Sequence, residues 1–210
     1  MFDPSKVFLF LVTSMVIAIT PGPGIFYVAA RTISGGRTDG LSSSFGTGLG
    51  GLVHVFAGAF GVSALVLASA EAFTALKFVG AAYLVWLGLK TFREARVPLE
   101  MAQAKATSPW AAFREGVIVE AFNPKTAAFF LAFLPQFVDP AHGSVALQFV
   151  VLGLVAVTLN TLADILVVYM AGSVRGGLTR RPALIRRMRE GSAAVLCTLG
   201  ISLVFARRPV

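Results

Sequence analysis

The sequence predicts an all-α fold: a polytopic membrane helix bundle of about six transmembrane helices forming one domain. Three observations carry this. Hydrophobic residues make up 56% of 210 residues and charged residues only 13%, with mean hydropathy +0.80, which places the chain outside the water-soluble globular class. Apolar runs near the roughly 20 residues needed to cross about 30 Å of hydrocarbon recur along the whole length. Most of the eighteen Lys and Arg residues fall in short segments between those runs, as membrane topology favours.

The runs are Val7 to Ala30, Leu41 to Ala70, Phe73 to Phe92, Val117 to Val138, Val145 to Ala171 and Ser192 to Ala206. The first resembles a signal peptide in position, but Asp3 precedes it and apolar sequence continues past its glycines, so it reads as a retained span. The last is short, and would need snorkelling of Arg207 and Arg208 or local bilayer thinning to cross. Cys197 is the sole cysteine and reads as a small apolar packing residue.

Basic residues follow spans 1, 3 and 5: Arg31 and Arg37; Lys90, Arg93, Arg96, Lys105 and Arg114; Arg175, Arg180, Arg181, Arg186, Arg187 and Arg189. The other ends hold only Lys6, Arg207 and Arg208, with Lys77 and Lys125 inside spans. The positive-inside rule therefore makes the loops after spans 1, 3 and 5 cytoplasmic and puts both termini outside. The +8 charge serves topology, and nucleic acid is not an expected partner.

The first span of each half is broken, by Pro21-Gly22-Pro23-Gly24 and by Asn123-Pro124-Lys125. Halves of about 1–105 and 106–210 with three spans each must enter the membrane in opposite orientations, the arithmetic of an inverted repeat. Pro21 and Pro124 are taken as the matching pair. A proline removes a donor and collides with the preceding turn, so each break frees backbone groups, which hydrocarbon does not tolerate. Freed N–H groups near Ile25 and Thr126 suit a carboxylate, and freed carbonyls around Ile19 and Phe122 suit an ammonium or a cation. Together they match a small zwitterion; the competing reading is a pair of packed kinks.

Polar groups at membrane depth are the other candidates. Asn160 and Asp164 share a face of span 5, and an acid at a helix centre costs about 2.5–3.5 kcal/mol on insertion scales. Asp164 can hold an ammonium, carry a proton, or pair structurally with Lys125. Lys125 is a carboxylate or gate contact, or snorkels from a half-helix end; Glu120 neutralises Lys125 or faces a vestibule. Gly46, Gly50, His54 and Gly58 form a small-residue stripe, so His54 faces a helix contact as a buried hydrogen-bonded residue or a proton relay. "RTISGGRTDG" reads as a solvated turn, with a gate as the alternative.

Other chemistries find little support. "GVSAL" lacks the final glycine of a nucleophile elbow, and Ser63 lies about 13 Å along the helix from His54. H-E-x-x-H is absent, so no enzyme, cofactor or metal site is expected. An exporter of inorganic cations would need more acids, histidines or thiols at membrane depth, and a scaffold would not need the second break. The expected partners are the lipid bilayer, a small zwitterion such as an amino acid, and protons or cations, with a homo-oligomer left open.

"ITPGPGIFYVAARTISGGRTDGLSSSFGTGLGGLVH" at 19–54, which includes His54, "EAFNPKTAAFFLAFLPQFV" at 120–138 and, more loosely, "LADILVVYMAGSVRGGL" at 162–178 resemble the lysine-exporter-like (LysE/RhtB-type) bacterial amino-acid exporters. The resemblance implies an inner-membrane protein of about six spans that exports amino acids or derivatives by proton or cation exchange. It marks Pro21, Gly22, Pro23, Asn123, Pro124 and Lys125 as signature positions. Many members carry Asp or Asn after the Pro-Gly-Pro, where this chain has Gly24.

Overall fold

The computed structural model describes residues 4–62, 70–96, 108–173 and 182–205, and all regular structure among them is helical. Seven α-helices follow in order: α1 (Pro4–Ile19), α2 (Pro23–Ala57), α3 (Ala70–Glu94), α4 (Pro109–Ala121), α5 (Pro124–Ala128), α6 (Val145–Ser173) and α7 (Pro182–Phe205). Of the residues used above, Asp3, Ser63, Lys105, Arg175, Arg180, Arg181, Ala206, Arg207 and Arg208 lie outside the described residues.

Helices α3, α6 and α7 are each long and apolar enough to span a membrane. The other spans are bent: α1 meets α2 at 47°, and α4 meets the segment Pro124–Phe137 at 41°. Helix α2 is itself folded at Gly36, whose φ of 84° is open to glycine and strained for other residues. Gly24 and Gly50 both lie against Glu120 although 26 residues separate them, which a straight helix would convert into about 39 Å. Residues 23–35 thus complete span 1 and residues 37–57 begin span 2, so the described residues fall into six passes once the helix folded at Gly36 is divided between two of them.

Side-chain contacts mark the two ends of the bundle. Arg31 pairs with Glu115, Arg189 with Glu94, and Arg37 lies over the Tyr169 ring, so the segments after spans 1, 3 and 5 share one end. Lys6 reaches Asp139 at 3.7 Å and Lys77 donates to the Val204 carbonyl at 3.3 Å at the other. Many large apolar side chains face outward, Phe122 with 82% of its surface free, as expected of a lipid-facing surface.

Lipid tails are as apolar as leucine, so helices here associate by close packing rather than by escape from water. The glycine stripe does this. A side chain at Gly46 would strike the Phe113 carbonyl, one at Gly50 the Val117 carbonyl, and one at Gly116 the Ser43 carbonyl at 2.7 Å. The α3–α7 crossing repeats the device, with Gly88 and Cys197 in contact and Gly200 against the Ala81 carbonyl. Phe10, Phe73, Phe129, Phe130, Phe137 and Phe149 fill the centre.

Two sequence expectations need correction. Span 6 is not a marginal run beginning at Ser192: α7 starts at Pro182, because the Arg-rich segment continues the helix and pairs Arg186 with Glu190 one turn on. The Arg31–Asp39 turn at Gly36 is solvated only at its tip, where Arg37 and Thr38 are exposed. Arg31 and Asp39 are both buried, and Arg31 contacts both Tyr27 and Glu115.

Candidate site at two interlocked helix breaks

Each break is a helix restart with proline at the first helical position, where a missing N–H costs nothing. Gly22 precedes Pro23 in extended conformation, and the Phe26 N–H donates to its carbonyl at 3.0 Å. Asn123 precedes Pro124, the Ala127 N–H donates to its carbonyl at 2.9 Å, and its side chain accepts from the Lys125 N–H at 3.0 Å. The matching prolines are therefore Pro23 and Pro124 rather than Pro21 and Pro124. Gly22 then corresponds to Asn123 and Gly24 to Lys125.

The second break reaches into the first. Lys125, 5% exposed, donates through Nζ to the carbonyls of Ile17 at 3.0 Å and Thr20 at 2.9 Å, the orphan acceptors at the end of α1. Its methylenes pack 3.4 Å from where a β-carbon on Gly22 would stand. The carbonyls that span 1 frees before its break are thus met by the protein's own ammonium. Charge-assisted bonds of this kind contribute about 1.5–3 kcal/mol each.

Glu120, 2% exposed, forms the other half of the interlock. Asn123 Nδ2 donates to its Oε2 at 2.8 Å and the Thr126 hydroxyl donates to its Oε1 at 2.6 Å. A β-carbon on Gly24 would stand 2.7 Å from Oε2. Gly24 therefore makes room for a carboxylate, and the chain places its acid on the second break where a side chain at 24 would otherwise sit. Glu120 makes no ion pair with Lys125 among the described residues. His54 Nε2 donates to the Glu120 carbonyl at 2.9 Å, with its ring 5.9 Å from that of Phe130.

Two cavities flank this interlock. The inner one, about 20 Å³, is lined by Glu120, Thr126, Ser14, Thr47 and Asn160 among apolar neighbours, and admits a water but not an amino acid. The outer one, about 240 Å³, lies between the breaks and the basic ends of α3 and α7, with Pro21, Gly22, Pro23, Pro124 and Lys125 in its wall.

Asp164 is completely buried behind the inner cavity. The Thr47 hydroxyl donates to its Oδ2 at 2.8 Å, and its Oδ1 has no hydrogen-bond partner among the described residues. Among the described residues it forms no ion pair with Lys125; Asn160 lines the cavity, and Asp164 is hydrogen-bonded to Thr47 in the cavity wall. Sequence reasoning missed Ser14 and Thr47, and singled out Thr126 only for its backbone N–H rather than its hydroxyl. Ser14 is a buried hydroxyl with no hydrogen-bond partner among the described residues, and its polarity within an apolar run was the available signal.

An uncharacterized membrane protein of Vibrio cholerae is 33% identical over 94% of this chain and 96% of its own. The homoserine/homoserine lactone efflux protein of Salmonella typhimurium is 28% identical over 95% and 96%. An uncharacterized membrane protein of Pseudomonas aeruginosa is 30% identical over 90% of each. No solved structure matches the chain. The profile of the LysE type translocators matches residues 15–207, and with that coverage this multi-pass membrane protein belongs to the LysE type translocator family.

Proposed function

We propose that this chain is a secondary exporter of amino acids or close derivatives across the bacterial inner membrane, driven by proton or cation exchange, and not an enzyme. The observation that carries the reading is the inner cavity beside the interlocked breaks, with the Glu120 carboxylate and the hydroxyls of Ser14 and Thr126 in its wall. A carboxylate there suits a substrate ammonium or a coupling cation. The relative named for homoserine and homoserine lactone efflux supports an amino acid of that size.

By the positive-inside rule the end holding Arg31, Arg37, Arg93 and Arg189 is cytoplasmic. The paired bends fit an inverted repeat whose two halves rock against each other. A 20 Å³ cavity is a closed state, so substrate must bind a more open one and shift the balance towards it. Asp164 is placed to pass a proton through Thr47 to the cavity.

The test is efflux of labelled amino acids, L-homoserine first, from vesicles containing the purified protein, with and without a pH gradient. Gradient-stimulated movement of at least one is expected, with Asp164→Asn weakening the stimulation. No movement of any amino acid or derivative would overturn the reading, and unchanged coupling in Asp164→Asn would remove that residue from it.

A further inference from the structure

The inner cavity carries polar atoms that a merely closed gap would not need. Buried hydroxyls elsewhere in the bundle give their hydrogen to the carbonyl four residues back, as Thr13, Thr20, Thr32 and Ser192 do. Ser14 does not. It lines the cavity, is 3% exposed, and its Oγ meets no hydrogen-bond partner among the described residues. An unmet buried polar group is costly, so one kept at a cavity calls for a ligand. The rest of the wall offers acceptors. Thr126 gives its hydrogen to Glu120 Oε1, and Thr47 gives its own to Asp164 Oδ2 or to the Ser44 carbonyl, so both hydroxyl oxygens keep lone pairs for a further partner. Each Glu120 oxygen accepts one hydrogen bond and has capacity for a second.

Charge leads to the same ligand. Beside the breaks the buried charged side chains are Glu120, Asp164 and Lys125, and the Lys125 ammonium bonds to the Ile17 and Thr20 carbonyls rather than to either acid. The other two buried charged residues, Arg31 and Asp39, flank the fold at Gly36. His54 meets only the backbone carbonyl of Glu120, which a neutral ring does as well as a charged one. One carboxyl is therefore in excess, and at this depth it must take up a proton or a cation. A proton would leave Ser14 and the space unused, whereas a cation uses the charge, the hydroxyl and the space. The volume of about 20 Å³ admits one water-sized particle. A divalent ion calls for six or more oxygens or keeps its waters, for which there is no room. Nor do three acids, histidines or cysteines gather anywhere among the described residues as a metal site.

We propose that the inner cavity binds one dehydrated alkali cation, sodium or potassium, held by the Glu120 carboxylate with the Ser14, Thr47 and Thr126 hydroxyls and the Asn160 amide oxygen as neutral ligands. The role assigned to it rests on the export reading and deepens that reading by naming the class of coupling ion. Glu120 is the carboxylate available to the ion in the closed cavity and to a substrate ammonium in an open one. The two ligands then exclude each other, which is what exchange requires. The ion and a proton also compete for the one excess charge, so a pH gradient and an ion gradient act on the same site.

The experiment reads the melting temperature of the full chain in detergent, in sodium, potassium or choline chloride at equal ionic strength and fixed pH. One of the alkali salts should raise it over choline by a few degrees and saturate with concentration, as binding to the folded state alone requires. Glu120→Gln should abolish the difference. Ser14→Ala, which alters neither charge nor interlock, should raise the half-saturating concentration about tenfold, the loss of one charge-assisted contact. Each variant is compared with itself in choline, so a general loss of stability does not enter. Equal melting in all three salts, a shift that survives Glu120→Gln, or one untouched by Ser14→Ala would overturn the site. Vesicles that move no amino acid would end the export reading and leave the measured ion binding standing, whereas efflux without any ion-specific shift would end the ion site alone.

Discussion

The two helix breaks share a backbone plan and differ in what they contribute. The first, Pro21 to Gly24, has no side-chain cap and presents bare carbonyls and two glycines. The second, Asn123 to Thr126, caps itself with Asn123 and satisfies both oxygens of Glu120 locally. It then sends Lys125 across to the first. One break provides acceptors and space, and the other provides side chains to fill them. A broken span is tolerable in a membrane only when its freed groups are met, and here the second break meets those of the first.

Substitutions that remove this division of labour should cost most. Lys125→Met leaves the Ile17 and Thr20 carbonyls unpaired, at about 1–3 kcal/mol each, and should lower the melting temperature in detergent more than any other single change at the breaks. Retained stability would show that water or the backbone meets those carbonyls unaided.

The two glycines of the first break sharpen the comparison. Gly24→Ala places a methyl group 2.7 Å from Glu120 Oε2, whereas Gly22→Ala meets only the flexible methylenes of Lys125 at 3.4 Å. Gly24→Ala should therefore be the more damaging to transport and stability. Adding Glu120→Ala should recover part of the stability loss, with a coupling of about 0.5–3 kcal/mol in a double-mutant cycle. Strictly additive losses would mean that the two positions do not share space. A smaller effect is expected on the self-capped side: Thr126→Val removes one hydroxyl donor to Glu120, costing about 1 kcal/mol in unfolding experiments.

Much of this arrangement was legible in the sequence because proline and glycine act locally. Pro-Gly-Pro-Gly and Asn-Pro-Lys marked both breaks, and the spacing of Gly46, Gly50 and His54 marked the face that meets α4. The pairings between distant segments were not legible. Arg31 lies in a stretch of glycines and polar residues, and its partner Glu115 is 84 residues away, so no local pattern could show that it is buried. The sequence pairing of Pro21 with Pro124 missed that Pro23, not Pro21, opens the helix after the first break, which only the backbone shows. The start of α7 was hidden by arginines that interrupt hydropathy without interrupting the helix. Asp164 drew attention for its insertion cost, while Glu120, one turn before a proline, proved to be the acid lining the cavity.

Transport by Glu120→Gln tests the central claim most directly, since that change keeps the shape of the interlock and removes the carboxylate from the cavity. Homoserine efflux from vesicles should fall at least about tenfold, the equivalent of one charge-assisted contact, while the protein still folds and inserts. Efflux at the wild-type rate would contradict the assignment of the site to the interlocked breaks.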